Sequence, residues 1–237
     1  MIGSRRNFFR EHMSDLFHRT IRLIGRHPFW MNSQPLIIGL EHTKRKGAFI
    51  VASTHESPFD VPLLIRHSKR MLDFVSIVEV FAKPFVGWFY GSMNAFPLDR
   101  NRRDPKTVRV ILDRLARGRV VAMFPEGRLS PGDKSVLVTG KIRPGIGKIA
   151  QLANVPIVPV IVVNSRVYRK LSSWLPIRRT RYAVAFGPAI LPDQAPEQLE
   201  EKLIESWREL HRSLYADYAG HPALTVAAKT VNTQTEP

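Results

Sequence analysis

The sequence predicts an α/β fold: a largely parallel or mixed central sheet flanked by helices, preceded by an amphipathic N-terminal helix. Three observations predict it. Short apolar runs alternate along the chain with segments of helical periodicity, the pattern of strands joined through crossover helices. Two of those runs, "GAFIVAS" and "PIVPVIVVN", read as buried strands. The chain of 237 residues is 44% hydrophobic, enough for one sizeable core, and no linker or internal repeat divides it.

The elements follow in order. Residues 7–26 form an amphipathic helix, with Phe9, Met13, Leu16, Phe17, Thr20, Ile21 and Ile24 on one face and Glu11, Asp15, His18, Arg19, Arg22 and Arg26 on the other. Pro28 stops it. Such a face can pack on a core or lie on a membrane surface; the basic residues and two Phe favour the interface. "PLIIGLEH" and "GAFIVAS" are strands, and "FDVPLLIRH" begins a helix. "LDFVSIV" is a strand, "VFAKPFVGWFYGSM" a helix and "NAFPLD" a short strand. "DPKTVRVILDRLARG" is a helix that Gly118 ends. "RVVAMFP" is a strand, "GIGKIAQLANV" a helix, and "PIVPVIVVN" and "YAVAFG" are strands. A long helix starts at "PEQLEEKL". The polar tail from His221 lacks core residues. These readings divide the chain into a membrane-surface segment at 1–30, a catalytic domain at 31–220 and a disordered tail at 221–237.

The formal net charge is +16, which calls for an anionic partner: nucleic acid, an acidic membrane surface or a phosphate-bearing substrate. The charge is unevenly spread. From Lys134 to Pro192 there is no Asp or Glu, while ten Lys and Arg occur there. With no cysteine, disulfide, thiol-nucleophile and cysteine-metal chemistry are excluded. No secretory signal is expected, because the charged N-terminus lacks an apolar stretch. The uncharged run at 84–98 is too short, and too rich in Pro and Gly, to span a bilayer.

Candidate chemistry sits where strands stop. "HESPFD" follows a core strand directly and brings His55 within five residues of Asp60. Ser57, Pro58 and Asp60 fit a helix cap with Asp60 near the third helical position, a capping-box arrangement. Asp60 can equally accept a hydrogen bond from His55 and hold one tautomer of a general base; the two readings are compatible. A second cluster, "MFPEGRLSPGD", places Glu126, Gly127 and Arg128 just after a strand, where open α/β sheets bind ligands. A third, "FPLDR", ends on Arg100, whose planar fork suits a phosphate. Lys141 and Arg143 are the alternative phosphate contacts. No histidine has metal-ligand spacing, so no metal is expected. Walker A, G-x-G-x-x-G and G-x-S-x-G patterns are absent. A histidine base without a protein nucleophile points to a nucleophile on the substrate, such as a hydroxyl.

Four of these stretches together resemble the glycerolipid acyltransferases, the 1-acyl-sn-glycerol-3-phosphate acyltransferase family. "HESPFD" matches the H-x-x-x-x-D motif, "GSMNAFPLDR" the block ending in a phosphate-contacting Arg, "FPEGRLS" the F-P-E-G-T-R-S block and "VPIVPV" the fourth block. They come in the family's order and cover roughly residues 36–192. The resemblance implies an α/β fold and transfer of a fatty acyl group from acyl-CoA or an acyl carrier protein to a glycerol hydroxyl, with no cofactor or metal. It implies His55 as general base, Asp60 as its partner, and Arg100, Glu126, Gly127 and Arg128 as the acceptor site. The expected acceptor is 1-acyl-sn-glycerol-3-phosphate, giving phosphatidic acid on the cytoplasmic face of a membrane. Two positions depart from the family. Arg128 and Leu129 stand where Thr and Arg are usual, a form resembling acyltransferases of lysophosphatidylethanolamine. Ile77 stands where many relatives carry Lys. Lysophosphatidylethanolamine and glycerol-3-phosphate therefore remain alternative acceptors. The competing reading from another class, a nucleic-acid-binding module, rests on charge alone; no such motif occurs, and nucleic acid is not expected as a partner.

Overall fold

The computed structural model describes residues 13–21, 23, 33–82, 84–98, 105–175 and 179–224. Its centre is a seven-stranded sheet built from β1 (Ser33–Ile38), β2 (Phe49–Ser53), β3 (Leu72–Ile77), β4 (Phe96–Leu98), β5 (Val120–Met123), β6 (Ile157–Val163) and β7 (Thr180–Phe186), in the order β1-β7-β6-β2-β5-β3-β4. Five strands, β6-β2-β5-β3-β4, run parallel. β7 turns antiparallel to β6, and β1 pairs parallel with β7. The sheet is mixed, within the expected class.

The strands at the centre are apolar throughout because helices cover both faces. All five residues of β2 are buried. Ile50 and Ala52 point into one layer, packed with Ile111, Ala150, Leu203 and Trp207. Phe49 and Val51 point into the other, with Leu63, Leu64 and Tyr182. The helices are α1, described at 13–21, then α2 (Asp60–His67), α3 (Val78–Phe81), α4 (Pro84–Ser92), α5 (Pro105–Ala116), α6 (Val136–Thr139), α7 (Ile146–Ala153) and α8 (Pro196–Asp217). Trp207 of α8 donates its indole N–H to Ala52 O at 3.2 Å, tying α8 to the strand that carries the site.

Three elements differ from the sequence reading. "VFAKPFVGWFYGSM" folds as two helices, α3 and α4, because Pro84 lacks the N–H that a continuous helix needs and suits a helix start instead. The pair packs closely: a Cβ at Gly87 would lie 2.7 Å from Phe81 O. "LEH" leaves the first strand and forms a 3-10 turn at Leu40–Lys44. The packed body also runs past residue 220, since Ala223 and Leu224 are buried and Leu224 joins the core. Residues 225–237 lie outside those described.

The orientation of α1 is the other finding. Met13 and Leu16, expected on its apolar face, are exposed, as is Leu23. Asp15 and His18, from the expected polar face, turn inward, and His18 is 1% exposed. Asp15 accepts from Arg119 through both oxygens, at 2.8 and 3.1 Å. Arg119 also binds Asp73, at 2.5 and 2.7 Å, and Arg114 lies 2.8 Å from the same carboxylate. Asp73 is completely buried, and removing its cations would strand a buried charge at a cost of about 3–5 kcal/mol. Burial alone would raise the Asp15 pKa, but the hydrogen bond and charge of Arg119 hold it below the usual range. Ser14 hydrogen-bonds Asn94, and Phe17 meets Trp88 of α4 edge to face at 5.6 Å. The helix is fastened to the fold by Ser14 and Asp15 together with Phe17, a set drawn from more than one of the expected faces. The remaining residues of the expected N-terminal segment lie outside those described. Among the described residues no helix is long and apolar enough to cross a membrane.

Candidate active site

β2 is the middle strand of the seven-stranded sheet, and its carboxyl end carries His55. Thr54 fixes that end: its N–H donates to Val160 O at 3.2 Å, and its hydroxyl accepts from Val162 N–H at 3.4 Å. His55 Nδ1 then stands 2.9 Å from Asp60 Oδ2. The same oxygen accepts the backbone N–H of Glu56 at 2.8 Å and of Ser57 at 2.9 Å. Asp60 is 0% exposed. The expected helix cap with Asp60 near the third helical position is not formed: α2 starts at Asp60, its N-cap is Phe59, and no side chain caps it. The bond from Ser57 instead closes the turn that precedes the helix, where Ser57 Oγ accepts Phe59 N–H at 3.1 Å. One oxygen therefore both braces the turn ahead of α2 and engages the histidine.

This arrangement assigns the tautomer. A carboxylate oxygen that takes two N–H donors acts as an acceptor toward Nδ1 as well, so Nδ1 carries the proton and Nε2 keeps its lone pair. The imidazole lies flat on Phe124, ring centroids 3.8 Å apart and planes 17° apart. Phe124 in turn stacks at 6.3 Å on Phe74 of β3. The imidazole thus rests on an apolar shelf with a fixed ring plane.

The loop after β5 holds the main chain of His55 from both sides. His55 N–H donates to Glu126 Oε1 at 2.8 Å, and Ser130 N–H donates to His55 O at 2.7 Å. The other oxygen of Glu126 accepts Val136 N–H, at the start of α6, at 3.1 Å. Glu126 is 7% exposed. Burial pushes its pKa up, against the lowering effect of these backbone donors. Of the expected acceptor residues, Glu126 therefore has both oxygens occupied by backbone donors, one of them from His55. Gly127 has φ of 67° and lies under Arg143: a Cβ there would stand 2.4 Å from Arg143 Cδ and 2.5 Å from its Nε. Arg143 N–H also binds Pro125 O at 2.8 Å. Only glycine combines that φ with a side chain crossing directly over it. Arg128 and Leu129 are exposed on the same turn. Arg100 falls outside the described residues, as does the side chain of Ile77.

The structure adds residues that the motifs did not single out. Phe124 read as strand and Ser130 as part of a turn; their roles depend on the fold, and no spacing signals them. Glu56 lies in the motif itself. Burial first, then the charge of Asp60, raise its pKa to about 7, opposed by Arg166 and reinforced by Glu126. A carboxyl whose folded-state pKa lies above its unfolded value contributes most to stability at low pH, and the contribution is lost as pH rises through the folded value. Glu56→Gln should therefore become more stable relative to the parent protein as pH is raised from about 4.5 to about 7. Melting temperatures measured across that range check this, and parallel curves for the two proteins would refute it.

Among the described residues no cluster of three or more His, Asp or Glu side chains is placed to hold a metal. A concavity of about 790 Å³ between Gly140 and α8, lined by Glu201, Lys202, Glu205 and Arg208, shares no lining residue with the His55 cluster. The His55–Asp60 pair, and not this cavity, marks the candidate site.

Comparison with known proteins agrees with the motifs. A family model described as Acyltransferase matches residues 35–163. The 1-acyl-sn-glycerol-3-phosphate acyltransferase of Bacillus subtilis (strain 168) is 27% identical over 120 residues, covering 50% of this chain and 57% of that protein. The enzyme of the same name from Saccharomyces cerevisiae is 29% identical over 140 residues, covering 54% of this chain and 43% of that protein. The chain matches about half the length of these curated relatives. Among solved structures, the 1-acyl-sn-glycerophosphate (LPA) acyltransferase PlsC from Thermotoga maritima superposes with a TM-score of 0.61 at 22% identity, over 87% of this chain and 82% of that one. That likeness is one of fold.

Proposed function

The chain belongs to the acyltransferase family, and on that premise we propose that it transfers a fatty acyl group from a thioester donor, acyl-CoA or acyl carrier protein, to the free hydroxyl of a lysophospholipid. The acceptor we favour is 1-acyl-sn-glycerol-3-phosphate, the substrate in the names of the relatives. The observation that carries the reading is the Asp60–His55 pair at the carboxyl end of β2, with Nε2 holding a lone pair. An alcohol is a weak nucleophile until a positioned base takes its proton in the transition state. In this mechanism Nε2 accepts the hydroxyl proton as the oxygen attacks the thioester carbonyl. Asp60, still ionised, stabilises the imidazolium. The C–S bond then breaks and the proton passes to the departing thiolate.

The acceptor's phosphate is assigned to the turn after β5. Arg128 projects from it, and Arg143 crosses it over Gly127. Leu129 offers no charge where the family usually has Arg, and Arg143 brings a guanidinium to the same turn from 14 positions further along the chain. Arg100 belongs to the same proposed site. We assign Glu126 to positioning, through the His55 backbone. The domain is proposed to sit on the cytoplasmic surface of a membrane, its exposed Met13, Leu16 and Trp88 toward lipid.

The test is a panel of radiolabelled transfers from acyl-CoA to 1-acyl-sn-glycerol-3-phosphate, lysophosphatidylethanolamine and glycerol-3-phosphate. Transfer to none of the three overturns the reading, and the preferred acceptor fixes the head group. With the preferred phosphate acceptor, Arg143→Gln is expected to raise KM about 10- to 100-fold with kcat little changed, the effect of losing one charge-assisted hydrogen bond of about 1.5–3 kcal/mol. Unchanged acceptor saturation in both Arg143→Gln and Arg128→Gln would place the phosphate elsewhere.

A further inference from the structure

The segment between β6 and β7 combines features that the proposed reaction does not use. Two successive 3-10 turns, Ser165–Arg169 and Leu171–Trp174, leave the carboxyl end of β6, the same end of the sheet as His55. β7 runs antiparallel to β6, so its first residues return at that end too. The segment is internally bonded: Trp174 Nε1–H donates to Tyr168 O at 2.9 Å, Ser173 Oγ–H to Val167 O at 2.7 Å, and Thr180 Oγ1–H to Ser173 O at 2.9 Å. On this braced frame Leu171 stands 80% exposed, with Trp174 and Leu175 also exposed. Arg169, Lys170, Arg179 and Arg181 are exposed around them. The acid-free stretch of the sequence includes all of these positions.

A large aliphatic side chain held outward by a hydrogen-bonded turn does not gain stability from water; it gains by entering an apolar phase. A ring of cations around such a tip matches the anionic headgroups above that phase. Trp174 completes the pattern, since tryptophan favours the boundary between headgroups and acyl chains. Its ring also contacts Phe59 at 5.9 Å, and Phe59 directly precedes Asp60. The segment is therefore packed against the turn that positions the base. In the sheet, β6 lies on one side of β2, while β3, which leads into α3 and α4, lies on the other. An apolar contact beside β6 and the exposed Trp88 of α4 would flank His55 from both sides.

We propose that residues 165–175 and 179–181 form an anionic-bilayer contact, with Leu171 inserted among the acyl chains and Arg169, Lys170, Arg179 and Arg181 on the phosphates. This inference rests on the lipid-acyltransferase reading for its purpose, but on the loop alone for its geometry. The cations would also suit an acidic carrier protein. The projecting aliphatic tip beside a tryptophan favours lipid, and the experiment distinguishes the two.

The whole protein, Leu171→Glu, Leu171→Ser and the double variant Arg169→Gln with Lys170→Gln are sedimented with vesicles of phosphatidylglycerol and phosphatidylcholine, and with phosphatidylcholine alone. Leu171→Glu and the double variant are expected to bind the anionic vesicles about tenfold more weakly, and the double variant to show a weaker salt dependence than the parent. Leu171→Ser should weaken binding to both vesicle types. Turnover on a detergent-dispersed lysophospholipid should be unchanged, so loss of anchoring and loss of catalysis are read separately. Unchanged vesicle binding in all three variants overturns the proposal. So does weakened binding to acyl carrier protein with vesicle binding intact, which would give the surface to that partner.

Discussion

His55→Ala is expected to lower acyl transfer by about 10²–10⁴-fold, the usual contribution of a positioned general base, while leaving a folded protein that still binds vesicles. The imidazole is partly exposed and keeps the Nε2 lone pair, whereas the Asp60 carboxylate is completely buried. Asp60 Oδ2 is taken by three N–H groups and Glu126 by two backbone N–H groups. Folding should survive because the loop contacts of residue 55 are made by its main chain, to Glu126 and to Ser130, and alanine keeps both. What is lost is the ring stacked on Phe124. Single-turnover transfer from labelled acyl-CoA, with circular dichroism on the same sample, checks the prediction. Turnover within a few-fold of the parent would remove His55 from the mechanism.

Asp60→Asn should have the second largest effect, a fall in kcat of about 10²-fold or more with acceptor KM nearly constant. Asparagine retains one oxygen for the N–H groups of Glu56 and Ser57, so the turn ahead of α2 can persist. It loses the negative charge that stabilises the imidazolium and fixes its tautomer. It also places an amide where Asp60 Oδ1 has no hydrogen-bond partner among the described residues. A buried donor left in that state costs about 1–3 kcal/mol, and a modest drop in melting temperature is expected. The ratio between the two effects separates the roles: kcat should fall far more than the loss of folded protein can explain. A variant that melts earlier but turns over normally would leave Asp60 with bracing that turn alone.

Much of this protein was readable in its sequence. Each strand of the parallel set is a short apolar run, and each was expected close to where it lies, because a strand buried on both faces tolerates few polar residues. His55 and Asp60 were legible for a related reason. A titratable pair immediately after such a strand falls where a parallel sheet opens to ligands, and the spacing between them is one turn of chain. Whether Asp60 caps a helix or holds His55 was not legible, since that depends on which atoms meet Oδ2: it takes His55 Nδ1 and two backbone N–H groups of the turn ahead of α2.

The role of Glu126 was beyond the sequence. Its motif marks it as a site residue, but only the approach of the β2 and β5 ends directs its carboxylate to the His55 N–H, across 71 positions of chain. Arg143 is similar: nothing near it in sequence links it to Gly127, and the close crossing exists because the loop folds back over the turn. Helix α1 is the sharpest case. Its periodicity predicted an apolar and a polar face, but the side that meets the protein mixes the two, Asp15 and His18 with Phe17. A 3.6-residue repeat fixes the angle between side chains and is silent on the partner. The buried cluster of Asp73, Arg114 and Arg119 offers Asp15 charge complementarity that outweighs an apolar contact there, and so Met13 and Leu16 face outward. Sequence determined the elements and the chemistry available to them, because propensity and spacing act locally. Tertiary structure decided which groups meet, because a hydrogen bond between residues far apart in the chain depends on how strands β2, β5 and β6 are laid side by side.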